Sequence, residues 1–132
     1  MTGHSLESLL ETLAGLPGVS GRESGVAAAI AGMLNAGGIA TRLDRIGNLY
    51  AAILSEQPGP KPKLLLSAHM DTIGLLVREV DDHGVIRILP IGGVNRQTLL
   101  GQEVWIWGKE RVYGVIGAKP PHLTSAAERK KT

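Results

Sequence analysis

The stretch LLLSAHMDTIG, residues 64–74, decides how this chain is read. Leu64, Leu65 and Leu66 form a compact apolar run with no polar alternate, the pattern of a strand covered on both faces of a sheet. Such a strand delivers His69 and Asp71 at its C-terminal end. Strand residues two apart point to the same side, so both side chains face one crevice. In open α/β sheets, ligands bind just outside the carboxyl ends of the strands. A neutral imidazole is a good zinc ligand, and its other ring nitrogen ordinarily donates to a carboxylate that sets tautomer and orientation. Asp71 is placed to be that carboxylate. The competing reading is a histidine hydrogen-bonded at the surface or in the core, and a lone His-x-Asp is compatible with both.

Upstream, SEQPGPKPK at 55–63 holds three of the seven prolines and reads as an exposed connection. Before it, Ile39, Thr41 and Leu43 alternate, Gly47-Asn48 marks a turn, and Leu49, Ala51 and Ile53 alternate again, which predicts a hairpin. Two helices precede the hairpin. Leu6, Leu9, Leu10, Leu13 and Ala14 recur at helical spacing until Gly15. Val26, Ile30, Met33 and Leu34 line a second helix that stops at Gly37-Gly38, with Ser20 and Glu23 in a capping-box pattern at its start.

Downstream of residue 72 the helical period disappears. Strands are expected at about 73–80, 85–91, 103–107 and 112–116, with turns at Asp81-Asp82-His83-Gly84 and Gly108-Lys109-Glu110. A change from helix-plus-strand to all-strand organisation sets a domain boundary between 72 and 73. At the far end, Ser125 and Glu128 form another capping-box pattern close to the last residue, so a helix is expected to begin where the sequence stops.

Composition narrows the chemistry. With 132 residues, 43% hydrophobic and 20% charged, the chain has the make-up of a soluble globular domain. It contains no cysteine, so a metal has to be held by imidazole and carboxylate, and a reducing cytoplasm suits it. The first fifteen residues lack a basic region followed by an apolar stretch, and no apolar run reaches membrane-spanning length, so neither export nor a membrane is expected. A net charge of +2, one basic cluster at Arg129, Lys130 and Lys131, and four aromatic residues without phenylalanine argue against nucleic acid as a partner. There is no Gly-x-Ser-x-Gly elbow or Walker-type loop, and Gly92-Gly93 lacks the strand-to-helix setting of a dinucleotide fingerprint. Of the other histidines, His83 belongs in an exposed turn, His4 precedes the first helix, and His122 follows Pro120-Pro121 in a loop. Asp81 and Asp82 read as turn formers.

Six ordered segments then carry a resemblance: GVSGRE at 18–23, DRIGNL at 44–49, SAHMDTIGLLV at 67–77, PIGGV at 90–94, LLGQEVWIWGK at 99–109 and GVIGAKPPHL at 114–123. Together they resemble the dinuclear-metal aminopeptidases known as glutamyl, deblocking or tetrahedral aminopeptidases, some of them labelled endoglucanases. The resemblance implies an α/β fold: residues 1–72 as the N-terminal part of a zinc-peptidase-like catalytic domain, and 73–132 as an inserted β-rich, barrel-like lobe that helps build homo-oligomers. It implies removal of N-terminal residues from peptides with two divalent metal ions, zinc or cobalt. His69 falls on a metal ligand and Asp71 on the catalytic acidic residue that supports it. Thr72 stands where a typical member has Glu. The chain covers well under half of a usual member, and the bridging aspartate, the Glu-Glu pair and the later ligands have no counterpart in it. This leads to the expectation of an N-terminal portion inactive alone. The alternative is a non-catalytic self-association module of the same descent, and glycoside hydrolysis, which needs two carboxylates flanking a sugar, ranks last.

Overall fold

The computed structural model describes residues 5–54 and 58–118. His4, His122, the Ser125/Glu128 pattern and the basic cluster at 129–131 lie outside them. Helix α1 spans Leu6–Ala14 and α2 spans Ser24–Ala36. The strands are β1 (Thr41–Leu43), β2 (Leu49–Ala51), β3 (Gly74–Val80), β4 (Ile86–Ile91), β5 (Glu103–Trp107) and β6 (Arg111–Val115). They pair consecutively as three antiparallel two-stranded sheets. Among the described residues no helix is long and apolar enough to cross a membrane.

The chain divides into two compact units, Met1–Val94 and Asn95–Thr132. In the first unit, the Ser5 hydroxyl oxygen accepts the Ser8 N–H at 3.1 Å and starts α1. The second helix packs against β1 and β2 and contributes Val26 and Ala27, the buried apolar side chains among the described residues. The capping box expected at its start does not form. Glu23 is itself the N-cap and makes no side-chain cap bond. Its Oε1 instead accepts the Gly21 N–H at 2.7 Å, and Ser20 is engaged far along the chain, as described below.

Two aspartates shape the turns of this unit in the same way. The Asp44 Oδ1 accepts the N–H groups of Ile46 and Asn48 at 3.0 and 2.8 Å, while Oδ2 accepts the Asn48 side-chain amide at 2.9 Å and the Tyr50 hydroxyl at 3.2 Å. The Asp81 Oδ1 accepts His83 and Val85 N–H groups at 3.0 and 2.9 Å and closes the β3–β4 turn. Side-chain acceptance two residues on is why Asp favours turns over ladders.

The Asn48 side-chain amide, aided by the Asn48 and Ile46 N–H groups and Tyr50, holds the Asp44 carboxyl below its ordinary value of 3.8 against the opposing effect of burial. A carboxyl depressed in the folded state adds stability that is present above its unfolded pKa and is lost as pH falls through the folded one. The β1–β2 turn is therefore expected to hold at pH 4 and above and to loosen only as pH drops below 3.8. A carbon-13 titration of the Asp44 carboxyl checks this, and a midpoint at or above the ordinary value would contradict it.

The expectation for residues 64–66 is not met. No strand forms there, and Leu64, Leu65 and Leu66 are 85%, 85% and 84% exposed. A strand buried on both faces exists only when neighbours pair with its edges and cover its faces, and among the described residues none of the three sheets takes it in.

In the second unit, a 3-10 turn at Arg96–Thr98 precedes the β5–β6 hairpin. Trp105 lies opposite Tyr113 with ring centroids 5.6 Å apart in an edge-to-face arrangement, and the Arg111 guanidinium sits 4.1 Å over the Trp105 ring. Three of the four aromatic residues are thus on this one hairpin.

Candidate metal centre

The site grows from a contact between two distant segments. The Thr72 N–H donates to the Gly18 carbonyl at 2.7 Å, and Val19 and Thr72 form an isolated parallel bridge. Gly74 permits the approach, and Gly18 makes room for Val26 of α2 beside it. A Cβ on Gly18 would stand 2.8 Å from Val26 Cγ2, and one on Gly74 would overlap Val19 Cγ1. The bridge sets residues 18–20 alongside 70–72, so the expected strand end is replaced by a single pinned crossing.

At that crossing three side chains join in series. The Ser20 hydroxyl donates to Asp71 Oδ2 in a short hydrogen bond. Asp71 Oδ1 lies 3.0 Å from His69 Nδ1, and the Asp71 carbonyl oxygen lies 2.9 Å from the same nitrogen. Both of these partners are acceptors, so Nδ1 carries the proton and donates, leaving Nε2 with the free lone pair. The His69 side chain is 85% exposed and that of Asp71 39%. The Ser20 hydroxyl is the main cause holding the Asp71 carboxyl below its ordinary value; burial opposes it, and the hydrogen bond from His69 adds to the lowering.

A shallow cleft of about 210 Å³ adjoins this series, lined by Glu23, Ile46, Gly47, Asn48, Ala68, His69, Met70 and Asp71. His69 and Asp71 are therefore brought together as expected. The backbone of His83 belongs to the exposed β3–β4 turn. Ser20 is the member that sequence reading assigned elsewhere. It stands 51 residues from Asp71, and its local pattern with Glu23 pointed to a helix cap.

The donor chemistry fits one arm of a metal site. An imidazole whose Nδ1–H is held by a carboxylate presents Nε2 to a divalent cation in the usual way. Among the described residues no group of three or more His, Cys, Asp or Glu side chains is placed to share one ion. A catalytic zinc is ordinarily held by three protein ligands, so His69 fits the group as a single ligand and not as a complete site.

An exposed imidazole held by a carboxylate beside a cleft is one donor of the kind that can ligate a metal ion. Comparison with known proteins shows the family: residues 47–132 match the M42 glutamyl aminopeptidases, and the chain belongs to that family. It is 37% identical over 122 residues to the lysyl aminopeptidase of Pyrococcus furiosus, covering 91% of this chain and 34% of the relative. The glutamyl aminopeptidase of Lactococcus lactis subsp. cremoris is 28% identical over 88 residues, covering 65% of this chain and 24% of the relative. Among solved structures, the PhTET1-12s chain, a dodecamer in its asymmetric unit, superposes with a TM-score of 0.73 at 34% identity, over 92% of this chain and 36% of its own. An aminopeptidase of the archaeon Desulfurococcus kamchatkensis gives 0.73 at 35% identity, over 91% and 34%. These neighbours share the mixed helix-and-strand content, and the chain spans about a third or less of the length of these relatives.

Proposed function

We propose that this chain is the N-terminal part of a metal-dependent aminopeptidase, in which His69 Nε2 ligates a divalent cation and Asp71 holds the ring in the required tautomer. The observation that carries the reading is the His69 Nδ1 hydrogen bond to the Asp71 carboxylate at 3.0 Å, which leaves Nε2 free on an exposed ring. Zinc or cobalt, one of two divalent ions in this reading and held in part by His69 Nε2, would supply Lewis-acid polarisation of a scissile carbonyl. Peptides with a free N-terminus are the substrate class, in keeping with the aminopeptidase names of the relatives.

Residues 1–72 fall to a catalytic α/β domain and 73–132 to the start of an inserted β-rich lobe. The order of elements supports this division, since both helices lie before residue 72 and the hairpins β3–β4 and β5–β6 after it. Self-assembly into a homo-oligomer is the natural setting, supported by the dodecameric neighbour.

A chimera tests the reading: this chain replaces the segment it matches in the Pyrococcus furiosus lysyl aminopeptidase. The chimera is expected to hydrolyse aminoacyl anilides with added zinc or cobalt, and His69→Ala to lower metal affinity by at least ~100-fold, beyond the effect of losing an outer partner. Undiminished metal content and turnover in the His69→Ala chimera would remove His69 from the site.

The 132-residue chain by itself should keep well under one equivalent of zinc after exhaustive dialysis, since one imidazole with its supporting carboxylate is far short of three ligands. Elemental analysis by mass spectrometry reads this directly. Two tightly held zinc ions per chain would show that other residues complete the site.

A further inference from the structure

We propose that Ser20 is a positioning residue for this site: its hydroxyl anchors Asp71 Oδ2 so that Oδ1 stays turned toward His69 Nδ1, and thereby selects the His69 tautomer that offers Nε2 to a metal. The inference rests on the reading of His69 and Asp71 given above and adds a residue to it.

A carboxylate on a partly exposed side chain rotates freely about its terminal torsion unless both oxygens are held. Here both are held from opposite sides, Oδ2 by the Ser20 hydroxyl and Oδ1 by the imidazole. The serine is held in place because the Val19–Thr72 bridge and the Thr72 N–H bond to Gly18 tie the backbone just before Ser20 to the backbone just after Asp71. Gly74 removes the side chain that would strike Val19 and push these segments apart. The ring in turn depends on the carboxylate. His69 is 85% exposed and has little packing to orient it, so hydrogen bonds set its rotamer and tautomer. Of the two acceptors at Nδ1, the charged Oδ1 makes the stronger bond and the neutral Asp71 carbonyl the weaker. Releasing Oδ2 would therefore loosen the stronger of the two. Ser20 is itself exposed, which leaves room for one added methyl group.

The test compares Ser20→Thr with Ser20→Val, which match in volume and branching and differ in the hydroxyl. The chain is labelled with carbon-13 and nitrogen-15 histidine and observed by solid-state magnetic resonance, which does not require a monomer. Of the four histidines, the His69 signal is assigned by its loss in His69→Gln. The parent and Ser20→Thr are expected to show the Nδ1–H tautomer alone, and Ser20→Val a mixture with a large Nε2–H share. Asp71→Ala is expected to give that mixture too. If Ser20→Val keeps the Nδ1–H tautomer while Asp71→Ala loses it, the proposal falls and the reading of Asp71 stands. If Thr and Val both lose the tautomer, the hydroxyl is not the agent and the proposal again falls. A parent chain without the Nδ1–H form, or an Asp71→Ala chain that keeps it, overturns the underlying reading and the proposal with it.

Discussion

Given lysyl or glutamyl anilides and saturating zinc or cobalt, the 132-residue chain is expected to show no turnover above the metal-only background. Metal-assisted peptide hydrolysis needs a cation held in a fixed geometry and a base within about 3 Å of the attacking water. The crossing of residues 18–20 with 70–72 brings one imidazole and one supporting carboxylate to the cleft. Asp71 has both oxygens committed, to Ser20 and to His69, so it is not free to serve as that base. Glu23, the other carboxylate lining the cleft, has Oε1 tied to the Gly21 N–H. Losing both cation and base forfeits most of an acceleration that enzymes bring to about 10⁶-fold or more. The assay is sensitive, and its opposite outcome is informative. Turnover that survives repurification and vanishes in His69→Ala would mean that other residues of the chain complete a working centre.

The second large effect concerns association. The apparent molar mass of the purified chain by light scattering should rise with concentration, and Leu65→Lys should reduce that rise. Ile53 and Leu54 are 82% and 85% exposed, and Leu64, Leu65 and Leu66 match them. Burying a leucine side chain contributes roughly 1.5–3 kcal/mol, so three adjacent leucines offer a substantial drive toward any apolar partner. The hydrogen-bonding pattern adds to it. Each of the three sheets has two strands, so every described strand has an edge unpaired within its sheet, and such edges template pairing with another chain. A lysine at 65 puts a charge in the middle of the apolar run, a change by which natural edges resist pairing. A monodisperse parent chain with a cooperative thermal transition would show that the leucines are covered in solution and would remove the basis of this prediction.

Both expectations follow from the same feature, a chain belonging to a family whose relatives are about three times its length. Its apolar run at 64–66 is exposed, and among the described residues no group of three or more His, Cys, Asp or Glu side chains is placed to share one ion. The homo-oligomeric setting proposed above offers one source of cover.

What was legible in the residues alone was local. The apolar period of Leu6, Leu9, Leu10 and Leu13 predicts α1, and Ser5 and Gly15 bound it. Alternation on either side of Gly47-Asn48 predicts β1 and β2, and Asp44 supplies the turn. The four later strands lie within a residue or so of their expected places, because alternation and glycine-bearing turns act over a few residues. The pairing of His69 with Asp71 was legible for the same reason, two positions apart in sequence. Tertiary structure decided the rest. Ser20 and Glu23 have the spacing of a capping box, yet the serine turns to a carboxylate 51 residues away and the glutamate to Gly21. A hydrogen bond to a charged carboxylate is stronger than one between the neutral groups of a cap, so the distant partner wins once the backbone is pinned at Val19 and Thr72. Leu64, Leu65 and Leu66 show the converse. Their pattern specifies a strand that wants covering, but burial belongs to whatever packs against a segment, and no sequence window of a few residues contains that neighbour.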